Sequence, residues 1–367
     1  MFIFARVLKS ALLDGEVNAT TRDLVRQVCD LLSVSSLTVE EYLSPNDSSN
    51  QLQLALLEVT QSCNCRCIHC YEGNSHQEPQ NALSFDQWKT VIDQIAILGC
   101  KTLTFIGGEP SLYNKLPNLI LHASQRRFST IRICSNLMWI SDELLDAVAM
   151  SGARFRFSIY GANASIHDQI THVKGSFARL LDNIRLLQNH DIPLEASVII
   201  MKENEDTVDD ISDLLLRLNI SYIHMDEIRM VYGGSQQKHL VKHSRLDMTE
   251  PNFRANSTFF DKAFTNNTCW HGKIVVSTDG SVFPCEFARS TICGNINIKP
   301  LDEILAGEQI KNCWHLSFDQ IETCKDCEFR FACKDCRPLG YANTGTIHGK
   351  SYRCKYDPYT GIWNTGE

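Results

Sequence analysis

Three cysteines in the first half of the chain, Cys63, Cys67 and Cys70, follow one another at spacings of three and two intervening residues. Thiolates are soft ligands. A run of this kind can hold three corners of one iron–sulfur cube and leave the fourth iron open to an exchangeable ligand. A zinc knuckle is the alternative, but such sites usually draw four ligands from two separated pairs. Cys65 lies inside the run and is either a substitute for Cys63 or a bystander. A second set of thiols crowds the C-terminal part: Cys324, Cys327, Cys333 and Cys336, then Cys354, with Cys269 and Cys285 upstream. In isolation the first four of these would make a zinc ribbon. Gly107-Gly108-Glu109-Pro110 is a further candidate. Taken alone it is a turn whose two glycines let another stretch of backbone approach closely.

The 16 cysteines would be a disulfide framework in a secreted protein. Arg6 and Lys9 interrupt the apolar run at the start, so it does not read as an export signal. The expectation is a soluble, cytoplasmic protein, where clustered thiols bind metal or do redox chemistry. Cys29, Cys65, Cys100, Cys134, Cys293 and Cys313 read singly as small buried apolar residues.

A scaffold must hold these groups. Apolar or β-branched runs at 52–59, 101–106, 129–135, 154–160, 194–201 and 221–227 alternate with amphipathic stretches near 84–98, 114–127, 141–151, 176–190 and 205–218. Six strands alternating with five helices predict an α/β protein with a parallel sheet, either open or curved into part of a barrel. Ser84 and Ser141 are N-cap candidates, and Gln87 completes a capping box for the first. Asn204 and the acids between Glu203 and Asp210 fit a helix N-terminus. The cysteine triad falls directly after the first strand, and the Gly-Gly-Glu-Pro turn directly after the second.

At 367 residues the chain has room for two or three domains, and 43% apolar with 21% charged residues is an ordinary globular balance. A net charge of −8 without a basic block argues against nucleic-acid binding, and no apolar run approaches the roughly 20 residues of a membrane helix. Residues 1–50 read as a strand at Phe2–Val7, a helix from Thr21 to Leu32 and a polar linker. That is too little to enclose a core, so this segment is expected to pack as an appendage. The predicted divisions are the appendage at 1–50, the core at 51–235, a linker at 236–268 and a loop-rich cysteine domain at 269–367.

The core resembles the radical SAM superfamily. The resemblance rests on Cys63-x3-Cys67-x2-Cys70, on His69 where the family commonly has an aromatic ring, and on Gly107-Gly108-Glu109-Pro110. It implies a partial (β/α)6 barrel and a [4Fe–4S] cluster on the three cysteines. It also implies S-adenosylmethionine (SAM) bound at the open iron, with Gly107, Gly108 and Glu109 at its amino group. Ser135-Asn136 stands where relatives read Thr-Asn-Gly. Ser158 matches a serine placed near the SAM ribose or carboxylate, and Arg179 is a candidate cation for that carboxylate. The departure is at Ile170-Thr171-His172, where relatives usually carry arginine and glycine.

The C-terminal thiols resemble the SPASM extension, which holds two auxiliary clusters. On that likeness Cys324, Cys327, Cys333 and Cys354 match the distal cluster, and Cys269, Cys285 and Cys336 match three ligands of the inner one. The inner cluster then keeps an open iron or recruits Cys293, Cys313 or a substrate atom. Relatives usually place three residues between the cysteines matching Cys333 and Cys336, where this chain has two. Glu286 stands where sulfatase-maturing relatives carry an aspartate proposed as a base; otherwise it is a surface carboxylate.

The implied mechanism is reductive cleavage of SAM, hydrogen abstraction from carbon by the 5′-deoxyadenosyl radical, and electron transfer to an auxiliary cluster. The implied cofactors are SAM and three [4Fe–4S] clusters. The reading favoured is crosslinking of a ribosomally made precursor peptide through a carbon–carbon, carbon–oxygen or thioether bond. A formylglycine maturase, a small-molecule enzyme of haem or sugar metabolism, and a non-enzymatic zinc-ribbon or redox sensor are the alternatives. Expected partners are the precursor peptide, a flavodoxin or ferredoxin-type electron donor and a separate leader-binding protein.

Overall fold

The structure is a computed structural model and describes residues 52–71, 73, 77–230, 237–242, 257–334 and 336–364. The strand and helix expected within residues 1–50 lie outside the described residues.

Six parallel strands carry the first part: β1 (Leu54–Glu58), β2 (Thr102–Ile106), β3 (Thr130–Ser135), β4 (Arg154–Ile159), β5 (Leu194–Ile200) and β6 (Ile223–Glu227). The expected helices form between them as α1 (Phe85–Ile97), α2 (Leu116–Ser124), α3 (Asp142–Ser151), α5 (Ser176–Asn189) and α6 (Val208–Arg217). An additional helix, α4 (Ala164–Thr171), precedes α5 and is capped by the Asn163 side chain. At eight residues it is too short to show a helical period in sequence. Ser84 and Gln87 make the expected capping box on α1, and Ser141 caps α3. Asn204 stands at the expected helix N-terminus, but its side chain makes no cap hydrogen bond. It donates instead to the carbonyls of Tyr160 and Ile199 and accepts from Met201 N–H, clamping the end of β4 to β5.

The sheet runs in the order β6-β5-β4-β3-β2-β1-β7-β8-β9. β7 (Lys273–Val276) pairs parallel with β1 on the side away from β2, and β8 (Ser281–Phe283) and β9 (Gly294–Asn295) continue it antiparallel. One sheet therefore crosses the change of composition at residue 269. Its edges are β6 and β9, so among the described residues it is an open, partial barrel. The stretch read as a linker contains α7 (Ser257–Thr265). Three further helices follow: α8 (Leu301–Ala306), α9 (Glu308–Trp314) and α10 (Arg337–Thr344).

The main core lies between the sheet and the helices. α1 contributes Trp88, Val91, Ile92 and Ile95, one face at helical spacing, to the same core that holds Ile131, Ile133, Phe155 and Phe157 of β3 and β4. Full burial of such side chains stabilises by about 1.5–3 kcal/mol each. β3 and β4 alternate between buried and partly exposed residues, so Arg132, Cys134, Arg154, Arg156 and Ser158 fall on the helix-free face. Cys134 packs there against a small cluster of Leu56, Ile106, Val275 and Phe283. The helix-free face is where the sequence-predicted chemistry collects.

Candidate active site

The cysteine loop leaves β1 and is anchored from three sides. Glu78 accepts hydrogen bonds from the Thr60 hydroxyl, from the backbone N–H of Gln61 and Ser62, and from the Ser62 hydroxyl. Arg66 and Ile68 donate their N–H groups to the carbonyls of Thr171 and Ile170 at the end of α4. The third anchor is the Gly-Gly turn after β2, where Gly108 N–H donates to Thr60 C=O at 2.9 Å and Glu109 N–H to Ser62 C=O at 2.8 Å. A Cβ on Gly108 would lie 2.5 Å from the Ser62 carbonyl oxygen and closer still to that of Gln61. The glycines are thus required by the approach of the loop itself.

Cys63, Cys67 and Cys70 are half-buried on this loop, and Cys65 is buried. The Cys65 thiol is hydrogen-bonded to both Cys63 and Cys67, which pushes the Cys63 thiol well above the usual range, with burial adding to it. Cys65 also donates to the Met138 sulfur at 3.2 Å and accepts from Asn136 Nδ2 at 3.4 Å. As a free thiol Cys63 stays protonated, so a cluster would displace its proton on binding.

Glu109 is buried, and burial pushes its carboxyl upward in pKa despite its hydrogen bonds. It accepts from Ser111 N–H, Ser135 Oγ at 2.8 Å and Asn136 N–H at 2.7 Å. Glu109 is therefore a bracket between the ends of β2 and β3. Asn136 passes the connection on to Asn64 in the cysteine loop. Leu137, at the glycine position of relatives' Thr-Asn-Gly, holds φ 54°, and His172, in the stretch where relatives carry glycine, holds φ 55°. Each holds a left-handed backbone without a glycine, at a cost of about 1–2 kcal/mol.

Ser158 hydrogen-bonds the Tyr160 hydroxyl, and the Tyr160 ring meets His69 edge-on at 4.6 Å. His69 Nδ1 lies in the interior with no hydrogen-bond partner among the described residues, and burial, aided by nearby His239, brings its pKa down to about 4. Arg179 is exposed on α5, one turn before Asn183, whose amide donates to Leu137 C=O at 2.6 Å. Arg179 thus shares the helix side that meets the end of β3.

The C-terminal thiols sort into two groups. Lys273, a residue the sequence reading did not single out, is half-buried beside Cys285, with its ammonium 3.7 Å from the sulfur and 2.7 Å from Glu286. Burial alone would raise the Glu286 carboxyl, but the Lys273 ammonium holds it down at about 2. Cys269 adds to the negative surroundings of Lys273. Arg229, after β6, is pulled toward neutrality by burial but kept charged by Cys336, Asp226, Glu286 and Cys285. Cys269 and Cys285 therefore lie near Lys273, and Cys285 and Cys336 near Arg229, two half-buried cations. In the second group Cys327 is pushed up to about 11 by burial, with Cys354 close enough to contribute. Cys324 and Cys333 pack against the main core. Cys293 and Cys313 lie 3.9 Å apart, buried against each other in that core.

Beside the β1–β7 pairing, side chains near the cysteine loop also join the halves. Tyr71, next to Cys70, meets the Phe287 ring edge-on at 5.1 Å, and Arg289 grips the buried Glu58 at 2.6 and 3.2 Å. On the outer side of the loop a cavity of about 700 Å³ opens beside Cys70, lined in part by Arg66, His172, Lys238 and a His239–Glu203 pair. Among the described residues no three His, Cys, Asp or Glu side chains converge closely enough to hold a single metal ion. The residues present fit the implied groups in two respects: soft thiols at the spacing of a cluster loop, and a buried, unsatisfied ring nitrogen beside them.

Comparison with known proteins gives the same two parts. The radical SAM superfamily model matches residues 57–215, and the SPASM iron–sulfur cluster-binding domain model matches residues 269–328. Cys333, Cys336 and Cys354 lie beyond the second match. An AdoMet-dependent heme synthase of Methanosarcina barkeri is 25% identical over 345 residues, 84% of this chain and 98% of its own. A PqqA peptide cyclase of Rhodopseudomonas palustris is 31% identical over 179 residues, 48% of this chain and 47% of its own. Streptococcus suis SuiB, solved with S-adenosylmethionine, shares the fold with a TM-score of 0.68 at 13% identity, covering 96% of this chain and 88% of that one. SuiB is also known bound to the precursor peptide SuiA. Its likeness speaks for fold, and the family matches speak for chemistry. The chain is a radical SAM enzyme, a member of that superfamily with a SPASM iron–sulfur domain following its core.

Proposed function

We propose that this enzyme matures a ribosomally made peptide by taking hydrogen from carbon and joining two side chains in a crosslink. The observation that carries the reading is the junction of Tyr71 with Phe287, which sets the loop of Cys70 against the loop of Cys285. Joining two groups that each give up one hydrogen removes two protons and two electrons from the substrate. Bound to these thiols, SAM and iron–sulfur clusters supply a radical for the hydrogen atom and an acceptor for the remaining electron. We assign one cluster to Cys63, Cys67 and Cys70, an inner one to Cys269, Cys285 and Cys336, and a distal one to Cys324, Cys327, Cys333 and Cys354.

The remaining roles belong to the chain's own side chains. Gly107 and Gly108 let the cysteine loop close against the turn, and Glu109 fixes Asn136 beside it. Ser158 and Arg179 are the polar groups assigned to SAM. Glu286, kept ionised at the junction by Lys273, is the candidate group to pass the leftover proton on. Phe287 and Tyr71 exclude water there. Arg66, His172 and Lys238, around the outer cavity beside Cys70, are assigned to a flavodoxin or ferredoxin-type donor, and leader recognition to a separate protein. The peptide assignment is supported by the likeness to PqqA peptide cyclase. A second reading, a small-molecule enzyme producing haem, is favoured by the heme synthase likeness across 98% of that protein.

Incubation of reconstituted enzyme with SAM, reductant and the short peptide encoded nearest its gene tests the reading. The expected product is two hydrogen atoms lighter, inert to aldehyde reagents and resistant to fragmentation between the joined residues. A product of that mass that reacts with hydrazide would be formylglycine and would overturn it.

Lys273 carries a further expectation. Replacing it with Gln removes a charge-assisted hydrogen bond to the Cys285 sulfur, worth about 1.5–3 kcal/mol. The reduction potential of the inner cluster is expected to fall by about 65–130 mV for a one-electron couple. Electron paramagnetic resonance during a redox titration reads this directly, and an unchanged potential would remove Lys273 from the inner site.

A further inference from the structure

On the helix-free face, Arg132 of β3 and Arg154 and Arg156 of β4 converge on one carboxylate, Glu195 of β5. Arg132 reaches it at 3.0 and 3.4 Å, Arg156 at 2.7 and 3.0 Å, and Arg154 at 3.5 Å. Neighbouring carboxylates have cations of their own: Glu58 has Arg289, Glu286 has Lys273, and Asp226 has Arg229 and Arg353. Three guanidiniums on one carboxylate leave two positive charges that Glu195 does not neutralise.

Stability does not explain the arrangement. Arg132 and Arg154 are direct register neighbours across β3 and β4, where like charges repel. A buried glutamate is satisfied by one bidentate arginine, and each additional cation adds desolvation and repulsion. The excess is also opposite in sign to the chain, whose net charge is −8. It therefore focuses a positive field where the protein as a whole is negative. Nearby His224, lowered first by burial and then by Arg156 and Arg229, responds as a group in such a field would. The wall reaches solvent, since the Arg154 side chain is 40% exposed while that of Glu195 is 7% exposed.

We infer that Arg132, Arg154 and Arg156 form a binding site for a carboxylate of the substrate. The inference rests on the proposed function only in taking the substrate to lie along the helix-free face. Arg156 stands two residues before Ser158 on the same strand face, about 7 Å at roughly 3.3 Å per residue. An acidic group held there is one side chain's reach from the strand ends that carry Ser135, Asn136 and Ser158. Planar guanidinium forks suit carboxylates in pairs. The carboxylates belong either to acidic residues flanking the modified position of a peptide or to a small polycarboxylate, and the two sources offer the wall the same chemistry.

Equilibrium binding to the full reconstituted chain, with SAM saturating, tests this with three probes: a six-residue peptide carrying three glutamates, its glutamine counterpart, and citrate. The glutamate peptide or citrate is expected to bind with an affinity that falls as salt is raised. The glutamine peptide is expected to bind about ten-fold more weakly than the glutamate peptide, or not at all. Arg154→Gln, exposed and the longest of the contacts to Glu195, is expected to weaken the bound probe about five-fold, and Arg156→Gln more. Circular dichroism confirms that the variants are folded. Preference for the peptide assigns the site to acidic residues, and preference for citrate assigns it to a small polycarboxylate. Equal binding of glutamate and glutamine peptides without citrate binding, or folded arginine variants that bind like the parent, would overturn the inference. SAM cleavage by the parent chain is measured separately, so a failure of the radical assignment is distinguishable from a failure of the anion site.

Discussion

Replacing Cys63, Cys67 and Cys70 together with alanine abolishes formation of 5′-deoxyadenosine and leaves the iron–sulfur absorbance of the C-terminal thiols in place. The expectation follows from separation: the triad sits on one loop after β1, while the other seven candidate ligands come from β7 onward and the segments around it. The loss should be complete within detection, because no other soft ligand on that loop can replace three missing sulfurs. Cys65→Ala is the informative companion. Its thiol bridges Cys63 and Cys67 and touches Met138, so its loss removes a buried contact but no predicted ligand. Cleavage is expected to persist in that variant. Normal 5′-deoxyadenosine production by the triple variant would show the triad to be misassigned, and its loss in Cys65→Ala alone would move Cys65 into the ligand set.

Gly108→Ala is expected to be nearly as damaging, although the residue carries no chemistry. The added methyl meets the backbone carbonyls of Gln61 and Ser62, and backbone cannot swing aside as a side chain can. Either the turn or the cysteine loop must move. The expected cost is about 3 kcal/mol or more in stability, together with loss of iron from the first site alone. Gly152→Ala is the control. Gly152 ends α3 at φ 67° with nothing within 4 Å of a new Cβ, so it pays backbone strain of about 1–2 kcal/mol without touching the loop. Iron content after reconstitution and thermal denaturation separate the two variants. A Gly108→Ala protein that loads iron like the parent would show that the turn does not shape the site.

Much of this scaffold was legible because its signals are local. The six strands alternate with helices at short range, and the cysteine run and the Gly-Gly turn each fall at a strand end. What was not legible depends on distance along the chain. β7 pairs with β1 across more than 200 residues, so the change of composition at residue 269 reads as a boundary although the sheet passes through it. Lys273 looks like the solvent end of a strand until Glu286 and Cys285 are brought beside it. Glu78 lies in a polar loop, and only the fold shows it gripping Thr60, Gln61 and Ser62. Asn204 stands at the helix N-terminus its acidic neighbours point to, but the clamp its amide makes between two strand ends joins groups that sequence leaves far apart. Leu137 and His172 show the converse case: each holds a left-handed backbone that its residue type does not announce.

Anaerobic reconstitution followed by counting iron and sulfide tests the central claim most directly. On the assignment proposed above, ten cysteines in sets of three, three and four would hold three [4Fe–4S] clusters, so about twelve irons and twelve sulfides per chain are expected. A reproducible total near four in protein with intact Cys324 and Cys354, or zinc in place of iron at the C-terminal thiols, would contradict it.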